Sequence, residues 1–415
     1  MKILNFGSCN IDYVYTVDHI VKPGETEAAD RLEVFPGGKG LNQSIAIARA
    51  GGDVCHAGCI GSDGEMLLNV LRDSGVDTAH LKTLDVKGGH AIIQVNAKGE
   101  NSIFLYAGSN SMITVDFVDS VLESFDSDSI ILLQNEINNI GYIIDEAYKK
   151  GMTVVLNPSP YNEKLSGIDL NKISYIILNE VEAAEISGAA DPEGTLMYFR
   201  NNFPELKVIL TLGSRGSMYA DGESEHFQPI FEAEAVDTTA AGDTFTGYFI
   251  AEIARGEDYG GAMRTASCAA AIAVSRNGAA PSIPTMDEVR LALTRMKEKK
   301  SGKEELLYQK IDSYISNNLA AATLKNLSEY LGYSDVYTGG IVKRLFGEAF
   351  TKVLQCRRCE AAAELLTSTD KPLSEVIKAV GYENENFFRT VFKEKYGKNL
   401  LEYRKSTRGK IMNNE

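Results

Sequence analysis

Apolar residues in the first 300 positions come in two alternating rhythms. Segments 3–6, 130–134, 153–156, 175–178 and 208–212 are nearly unbroken apolar runs rich in Ile, Leu and Val, each the length of one buried strand. Segments 43–50, 65–74 and 140–150 instead carry apolar residues three and four apart, as an amphipathic helix does. Strands that are apolar throughout must be covered on both faces, and parallel neighbours need a crossover, so the rhythm predicts a parallel α/β sandwich. Three segments, 10–17, 27–34 and 91–105, fall outside the alternation and read as antiparallel strands of a small separate sheet. Such a sheet could be a lid over a site at the strand ends.

Beyond residue 303 the period is helical and repeats. Leu324, Leu327, Leu331, Gly332 and Tyr333 recur 49 positions later as Leu373, Val376, Val380, Gly381 and Tyr382. Each copy is a helix, a glycine turn and a second helix. That layout sets a second helix into a DNA major groove, and a plain helical bundle shares it.

Charge divides the chain at the same place. From Lys303 to the end there are 18 Lys+Arg against 15 Asp+Glu, a net of +3, while the first 302 residues hold 24 against 42, a net of −18. The acidic part repels polyanions, whereas Arg389 to Lys410 gathers eight basic residues against two acidic. The polar stretch Lys297-Glu-Lys-Lys-Ser-Gly-Lys303 has the composition of a linker. At 415 residues the chain exceeds one ordinary core. The predicted organisation is a first domain over 1–298, a linker over 299–305, a helical domain over 306–405 and a basic, polar tail over 406–415.

No apolar run approaches the ~20 residues of a membrane helix, and Met1-Lys2 leads straight into a strand, so a cytoplasmic protein with no membrane partner is expected. Cys9, Cys55, Cys59, Cys268, Cys356 and Cys359 are scattered and fit reduced thiols. Cys356-Arg-Arg-Cys359 stands alone, without a second pair or a nearby histidine, and is not read as a metal site.

Candidate chemistry sits at strand ends. The run Val236-Asp-Thr-Thr-Ala-Ala-Gly-Asp-Thr-Phe-Thr-Gly247 places Asp243 where a helix should begin. A helix N-terminus offers unpaired N–H groups and a positive dipole end, and Ala240, Ala241 and Gly242 let a phosphate approach the backbone. Asp243 would then face a substrate hydroxyl; an N-cap Asp is the structural alternative. Gly37-Gly-Lys-Gly-Leu-Asn42 precedes a helix, its glycines permitting close approach of a polyhydroxyl ligand and Asn42 offering both donor and acceptor. Asn10 and Asp12 could bind a diol or equally form a turn. Asn179 and Glu182 suit a magnesium ion held through water, with a helix cap as the structural alternative.

Together these residues resemble the ribokinase branch of the PfkB carbohydrate kinases, over residues 1 to about 295. The resemblance rests on two signatures in the right order, Gly37-Gly-Lys-Gly-Leu-Asn-Gln43 and Asp237-Thr-Thr-Ala-Ala-Gly-Asp243. Gly7-Ser-Cys-Asn-Ile-Asp12, Asn157-Pro-Ser-Pro160, Asn179-Glu-Val-Glu182, Thr211-Leu-Gly-Ser-Arg-Gly216 and Ala273-Val-Ser-Arg-Asn-Gly-Ala-Ala-Pro-Ser282 agree with it. It implies a three-layer α/β sandwich with a small antiparallel lid, ATP as phosphoryl donor, and a homodimer formed through the lid. Asp243 is implied as base for the primary hydroxyl, Ala240, Ala241 and Gly242 as anion-hole amides, and Asn10, Asp12, Gly38, Lys39, Asn42 and Glu136 as sugar-binding groups. Asn179, Thr211, Gly213 and Gly216 would line the nucleotide site, with Glu182 acting toward Mg²⁺ through water. A K⁺ site would use Asp237, Thr239, Ala273, Arg276, Gly278 and Ser282. Ribose is the favoured sugar; deoxyribose or another pentose or ketose stays open.

Residues 306–404 resemble the AraC-type DNA-binding domain, an all-α double helix-turn-helix. The second half carries the match, in Gly381-Tyr-Glu-Asn-Glu-Asn-Phe-Phe-Arg-Thr-Val-Phe-Lys393, Gly397 and Tyr403-Arg404. In the first half Gly339 and Gly340 stand where the family has a polar residue and an arginine; in the second, Thr390 takes the arginine place and Leu400 replaces a proline. Duplex DNA is the implied partner, through Lys343, Arg344, Asn386, Arg389, Thr390, Lys393 and Arg404. A sugar kinase that regulates its own pathway competes with two other readings. One is a regulator whose kinase fold only senses sugar, against which Asp243 and the Ala-Ala-Gly turn count. The other is a kinase with a structural appendage, against which the basic residues count.

Overall fold

The computed structural model describes residues 1–96, 99–369, 371–382 and 384–404, with side chains except at 296–306 and 309. The chain divides into two compact units, Met1–Thr294 and Arg295–Glu415. The strands in chain order are β1 (Ile3–Phe6), β2 (Asn10–Val17), β3 (Arg31–Gly37), β4 (Val54–Gly61), β5 (Leu81–Leu84), β6 (Gly89–Asn96), β7 (Asn101–Tyr106), β8 (Ile130–Gln134), β9 (Thr153–Asn157), β10 (Tyr175–Asn179), β11 (Lys207–Thr211), β12 (Ser217–Ala220) and β13 (Glu225–Gln228). The helices of the first unit are α1 (Lys39–Arg49), α2 (Glu65–Asp73), α3 (Val115–Leu122), α4 (Ile140–Lys149), α5 (Glu180–Ser187), α6 (Pro192–Asn202), α7 (Ala241–Arg255) and α8 (Tyr259–Val274). Helix α9 (Met286–Asn317) begins in the first unit and ends in the second.

Nine strands form one sheet in the order β13-β12-β11-β10-β9-β8-β1-β4-β5. The pairings from β11 through β5 are parallel, and β12 and β13 close the edge as an antiparallel hairpin. Alternate residues of the central strands, among them Leu4, Phe6, Ile131, Leu133, Val154, Leu156, Ile176 and Leu178, pack against α3, α4, α5 and α6 in one continuous core. The opposite face lies under α1, α7 and α8. Gly247 in α7 is what lets α1 approach, since a Cβ there would stand 2.4 Å from the Ala46 Cβ.

The small sheet has the order β3-β2-β6-β7. Its two outer pairings are antiparallel as expected, but β2 and β6 run parallel. Both leave the ends of parallel strands of the large sheet, β1 and β5, and so set out in the same direction. The expected strand 91–105 is a hairpin, β6 and β7, and the one expected at 27–34 starts later, at Arg31. Leu32, Val34, Ile103, Phe104 and Tyr106 of this sheet are exposed.

The second unit continues with α10 (Leu324–Leu331), α11 (Asp335–Phe346), α12 (Phe350–Ser368), α13 (Leu373–Ala379) and α14 (Glu385–Tyr396). Each helix pair turns on a glycine with positive φ, Gly332 at 75° and Gly381 at 88°. Two cores result. Ile311, Ile315, Leu327, Ile341 and Val342 pack with the start of α12, and Cys359, Leu366, Val376, Ile377, Phe388 and Phe392 with its end. The stretch read as a linker, 299–305, runs as helix within α9, and the tail 406–415 lies outside the described residues. Among the described residues no helix is long and apolar enough to cross a membrane.

Candidate functional site

Helix α7 begins at Ala241, which sets Asp243 in its first turn. No side chain caps this helix, so its leading N–H groups lack intrahelical acceptors and its positive dipole end is left for an anion. The Ala241 N–H turns back to the Thr238 carbonyl at 3.2 Å. At Gly242 a Cβ would meet nothing within 4 Å, so the turn is open on that side. Asp243 itself is only 6 % exposed. Its Oδ2 accepts from the Asn42 Nδ2 and its Oδ1 from the Gln43 Nε2, each at 2.9 Å. Two neighbouring amides at the start of α1 therefore fix the carboxylate from both sides.

Behind this pair runs a buried polar ladder. The second N–H of Gln43 reaches the Asn157 Oδ1 at 3.1 Å, and its carbonyl accepts from the Gln134 Nε2 at 2.7 Å. Gln134 also donates to the Asn5 Oδ1 at 2.9 Å, Asn5 donates to the Ser44 Oγ at 2.8 Å, and Ser44 meets the His56 Nδ1 at 2.8 Å. Burial pushes the His56 imidazole down to about 4, so it stays neutral near pH 7.

A second cluster joins the lid to α1. Glu136 accepts through Oε2 from the Ser8 hydroxyl and from the Lys39 N–H, the latter at 3.1 Å. Burial raises the Glu136 carboxyl above its ordinary value, with Lys39 opposing. Burial would lower the Lys39 ammonium, but the carboxylates of Asp243, Glu136 and Glu182 outweigh it and hold the group above its usual value. Asp12, on β2, is raised to about 7 by burial and by the nearby charges of Glu136 and Asp243. Its carboxyl fills the space beside Gly37, where a Cβ would lie 2.0 Å away. Gly38 has a φ of 95°, and a Cβ on Gly40 would stand 2.3 Å from the Ser8 nitrogen. The glycines of this motif thus serve the turn itself as well as any ligand. Asn10 is buried, its Oδ1 accepting from the Asn110 Nδ2 at 2.8 Å. A cleft of about 600 Å³ reaches Asn10, Asn110, Asn135 and Glu136, with Asp243 and Lys39 outside its lining.

Asn179 and Glu182 form a capping box on α5, so the cap alternative for this pair is present. The Asn179 side chain accepts from the N–H groups of Val181 and Glu182, and the Glu182 Oε2 accepts from the Asn179 N–H at 3.0 Å. Glu182 is buried, and its charge acts on the Lys39 ammonium. A carboxylate acting through water suits Mg²⁺, which keeps most of its waters. Among the described residues the sole three-ligand cluster is Asp18, His19 and Glu27, in the loop between β2 and β3. Thr211 ends β11 with its hydroxyl donating to the Leu178 carbonyl at 3.3 Å, and Gly213 and Gly216, with φ of 53° and 111°, shape the turn into β12.

The segment before α7 is tied to the end of α8. The Asp237 Oδ1 accepts from the Thr239 N–H at 2.9 Å and its hydroxyl at 2.6 Å, and the Oδ2 from the Gly278 N–H at 2.9 Å. The Val236 and Asp237 N–H groups both donate to the Val274 carbonyl. Ala273 is in the last turn of α8, where helix carbonyls lack partners and the dipole is negative. Its carbonyl accepts from the Arg276 N–H, Arg276 pairs with Glu288 at 2.6 Å, and buried Ser282 donates to the Ala279 carbonyl. Carboxylate, hydroxyl and carbonyl oxygens occur together in these segments, and those named are hydrogen-bonded within the protein.

In the second unit Asn386, Arg389, Thr390 and Lys393 are exposed on α14 and Lys343 and Arg344 on α11. Arg404 is engaged within the fold, its Nη2 donating to the Lys371 carbonyl at 2.7 Å. Sequence reasoning did not single out Gln43, Asn157, Ser8 or Asn110 as site residues. Gln43 and Asn157 belong to recognised segments, but only the crossing of α1 over β9 and α7 shows what they hold.

The pfkB family carbohydrate kinase model matches residues 1–286, and a helix-turn-helix domain model matches residues 327–406. The ribokinase of Haemophilus influenzae is 37 % identical over 292 residues, which are 68 % of this chain and 95 % of that protein. The crystal structure of a ribokinase from Cryptococcus neoformans in complex with ADP superposes with a TM-score of 0.63 at 33 % identity, covering 70 % of this chain and 98 % of that one. That of an Arabidopsis thaliana ribokinase complexed with ribose and ATP gives 0.63 at 28 % identity, covering 70 % and 98 %.

Proposed function

Because the chain belongs to the pfkB family of carbohydrate kinases, and is an ATP-dependent sugar kinase joined to a helix-turn-helix domain, we propose that it phosphorylates ribose on the primary hydroxyl and binds duplex DNA to regulate sugar use. The observation that carries the chemistry is the Asp243 carboxylate, clamped by two amides beside an uncapped helix N-terminus. The sugar hydroxyl donates to Asp243, which takes the proton as the new O–P bond forms, while the bond to the leaving ADP breaks. A loose transition state asks for alignment and charge stabilisation more than for a strong base, so an ordinary carboxylate suffices. The N–H groups of Ala240 and Gly242 meet the charge on the transferring group, joined by that of Ala241 once it leaves the Thr238 carbonyl.

Asn10, Asp12, Gly38, Lys39, Asn42 and Glu136 hold the sugar. The Asn42 Oδ1 is buried without a hydrogen-bond donor and so is poised to accept from a ligand hydroxyl. Asn179, Thr211, Gly213 and Gly216 line the nucleotide side. Glu182 would hold Mg²⁺ through water, and the ion would supply positive charge at the phosphates. K⁺ among Asp237, Thr239, Ala273, Arg276, Gly278 and Ser282 would order the anion-hole turn without touching substrate. The exposed apolar residues of the lid support a homodimer through that sheet. Lys343, Arg344, Asn386, Arg389 and Lys393 form the DNA-facing set, whereas of the expected members Thr390 turns its hydroxyl to the Asn386 carbonyl and Arg404 is held by the Lys371 carbonyl.

Ribose is favoured over deoxyribose or another pentose because the relatives described above carry the name ribokinase. The test is ADP release with ATP, Mg²⁺ and K⁺ over a panel of pentoses and hexoses. Ribose is expected to give the highest kcat/KM. A higher value for another sugar removes the ribose assignment, and no turnover with any sugar favours a sensing regulator instead.

A further inference from the structure

The two recognition helices of the second unit are built alike, 12 residues each, running from the N-caps Ser334 and Asn384 to left-handed Gly347 and Gly397. Matching their caps sets Val336 against Asn386, Gly339 against Arg389, Gly340 against Thr390 and Lys343 against Lys393. The register is sound, since it also matches the fully buried Thr338 with Phe388 and Val342 with Phe392.

The outward faces differ in chemistry. Helix α14 offers an amide at Asn386 and a guanidinium at Arg389, both able to make paired hydrogen bonds to a base edge. The Thr390 hydroxyl is turned into the helix, donating to the Asn386 carbonyl at 3.2 Å. Arg389 is held by Glu385 at 3.1 Å, an exposed pair that a base can displace. Helix α11 carries at the matching places a valine that is 68 % exposed and two glycines. Packing does not call for those glycines. A Cβ at Gly340 would meet nothing within 4 Å, one at Gly339 only the Leu324 side chain at 3.6 Å, and neither has positive φ. They weaken the helix and leave a bare strip of backbone, with cationic side chains following at Lys343 and Arg344.

We propose that this domain reads base sequence with α14 alone, while α11 holds the duplex by its phosphates, the glycine strip letting the sugar-phosphate edge approach the helix backbone. This rests on the reading of DNA as the domain's partner. Phosphate contacts fix position and carry no sequence information, and α11 presents no base-reading side chain among Val336, Gly339 and Gly340.

The test incubates the full chain with a random duplex library at low salt, sequences the bound fraction, and titrates salt on the enriched duplex. One enriched block is expected, without a second about one helical turn (~10 bp) away. Arg389→Ala flattens that block, weakening the enriched duplex about tenfold or more and random duplex far less. Lys343→Ala weakens both alike and lowers the salt slope by about 1. Gly340→Arg, for whose Cβ there is open space, adds a base preference outside the block. A second block of equal strength in the unsubstituted protein overturns the division of labour. So does an unchanged salt slope in Lys343→Ala, which would turn α11 toward a protein partner. Failure to retain any duplex at low salt is a separate result, and it defeats the DNA reading itself.

Discussion

Asp12 gives the sugar site a titration inside the physiological range. Its carboxyl is raised from 3.8 to about 7, by burial first and then by Glu136 and Asp243. Sugar hydroxyls donate to the charged carboxylate, so the protonated form must lose its proton before it binds. With a pKa near 7 the competent fraction falls about tenfold for each pH unit below it, and kcat/KM for the sugar should drop about tenfold between pH 8 and pH 6. Lys39 stays cationic over that range, since its pKa is raised. The sign for stability is opposite. A carboxyl raised on folding stabilises the fold fully below its unfolded value of 3.8 and loses that contribution as pH rises through about 7. The assay is initial-rate ADP release at limiting sugar and saturating ATP from pH 5.5 to 8.5, for the natural protein and Asp12→Asn. The variant should be slower throughout and lack the acid limb near 7. A flat profile in the natural protein refutes the reasoning, and a variant that keeps the limb moves the titration to Glu136.

Asp243→Asn should lower kcat by about 10²–10⁴ with near-normal nucleotide affinity, read by ADP release and by nucleotide titration; wild-type turnover would remove Asp243 from the proton path. Gln43→Leu takes one hydrogen bond from Gln134, leaves the Asn157 Oδ1 without its donor, and leaves Asp243 with one clamp instead of two. It should cost about 1–3 kcal/mol in denaturant unfolding of the first unit and lower kcat more than it raises KM. Gly340→Ala should raise the melting temperature of the second unit, stabilising α11 by about 1 kcal/mol, because the methyl group meets open space. A destabilised variant would show that the glycine has a packing role.

The large sheet was legible because its central strands are apolar throughout, a pattern that only a doubly covered strand produces. Strand β4 was not, since Val54–Gly61 mixes Cys, His, Ala and Gly, residues that gain burial here from α1. The stretch at 299–305 has a linker's composition, yet Lys and Glu are good helix formers and α9 continues through it. At the site, Asp243 could be read because its turn and helix are contiguous. The amides that hold it lie about 200 positions away; Asn42 was legible as a ligand group, but no local pattern shows that it and Gln43 clamp Asp243. Asn179 and Glu182 were balanced between cap and ion ligand, and their reciprocal backbone bonds show the cap in place.

The ladder from Asn157 through Gln43, Gln134, Asn5 and Ser44 to His56 constrains how this kinase domain can drift. Each rung hands at least one buried hydrogen bond to the next, so an apolar replacement at one rung takes a partner from its neighbours. Substitutions there are tolerable only in matched sets, and lineages that diverge elsewhere are forced to keep or exchange these six positions as a block.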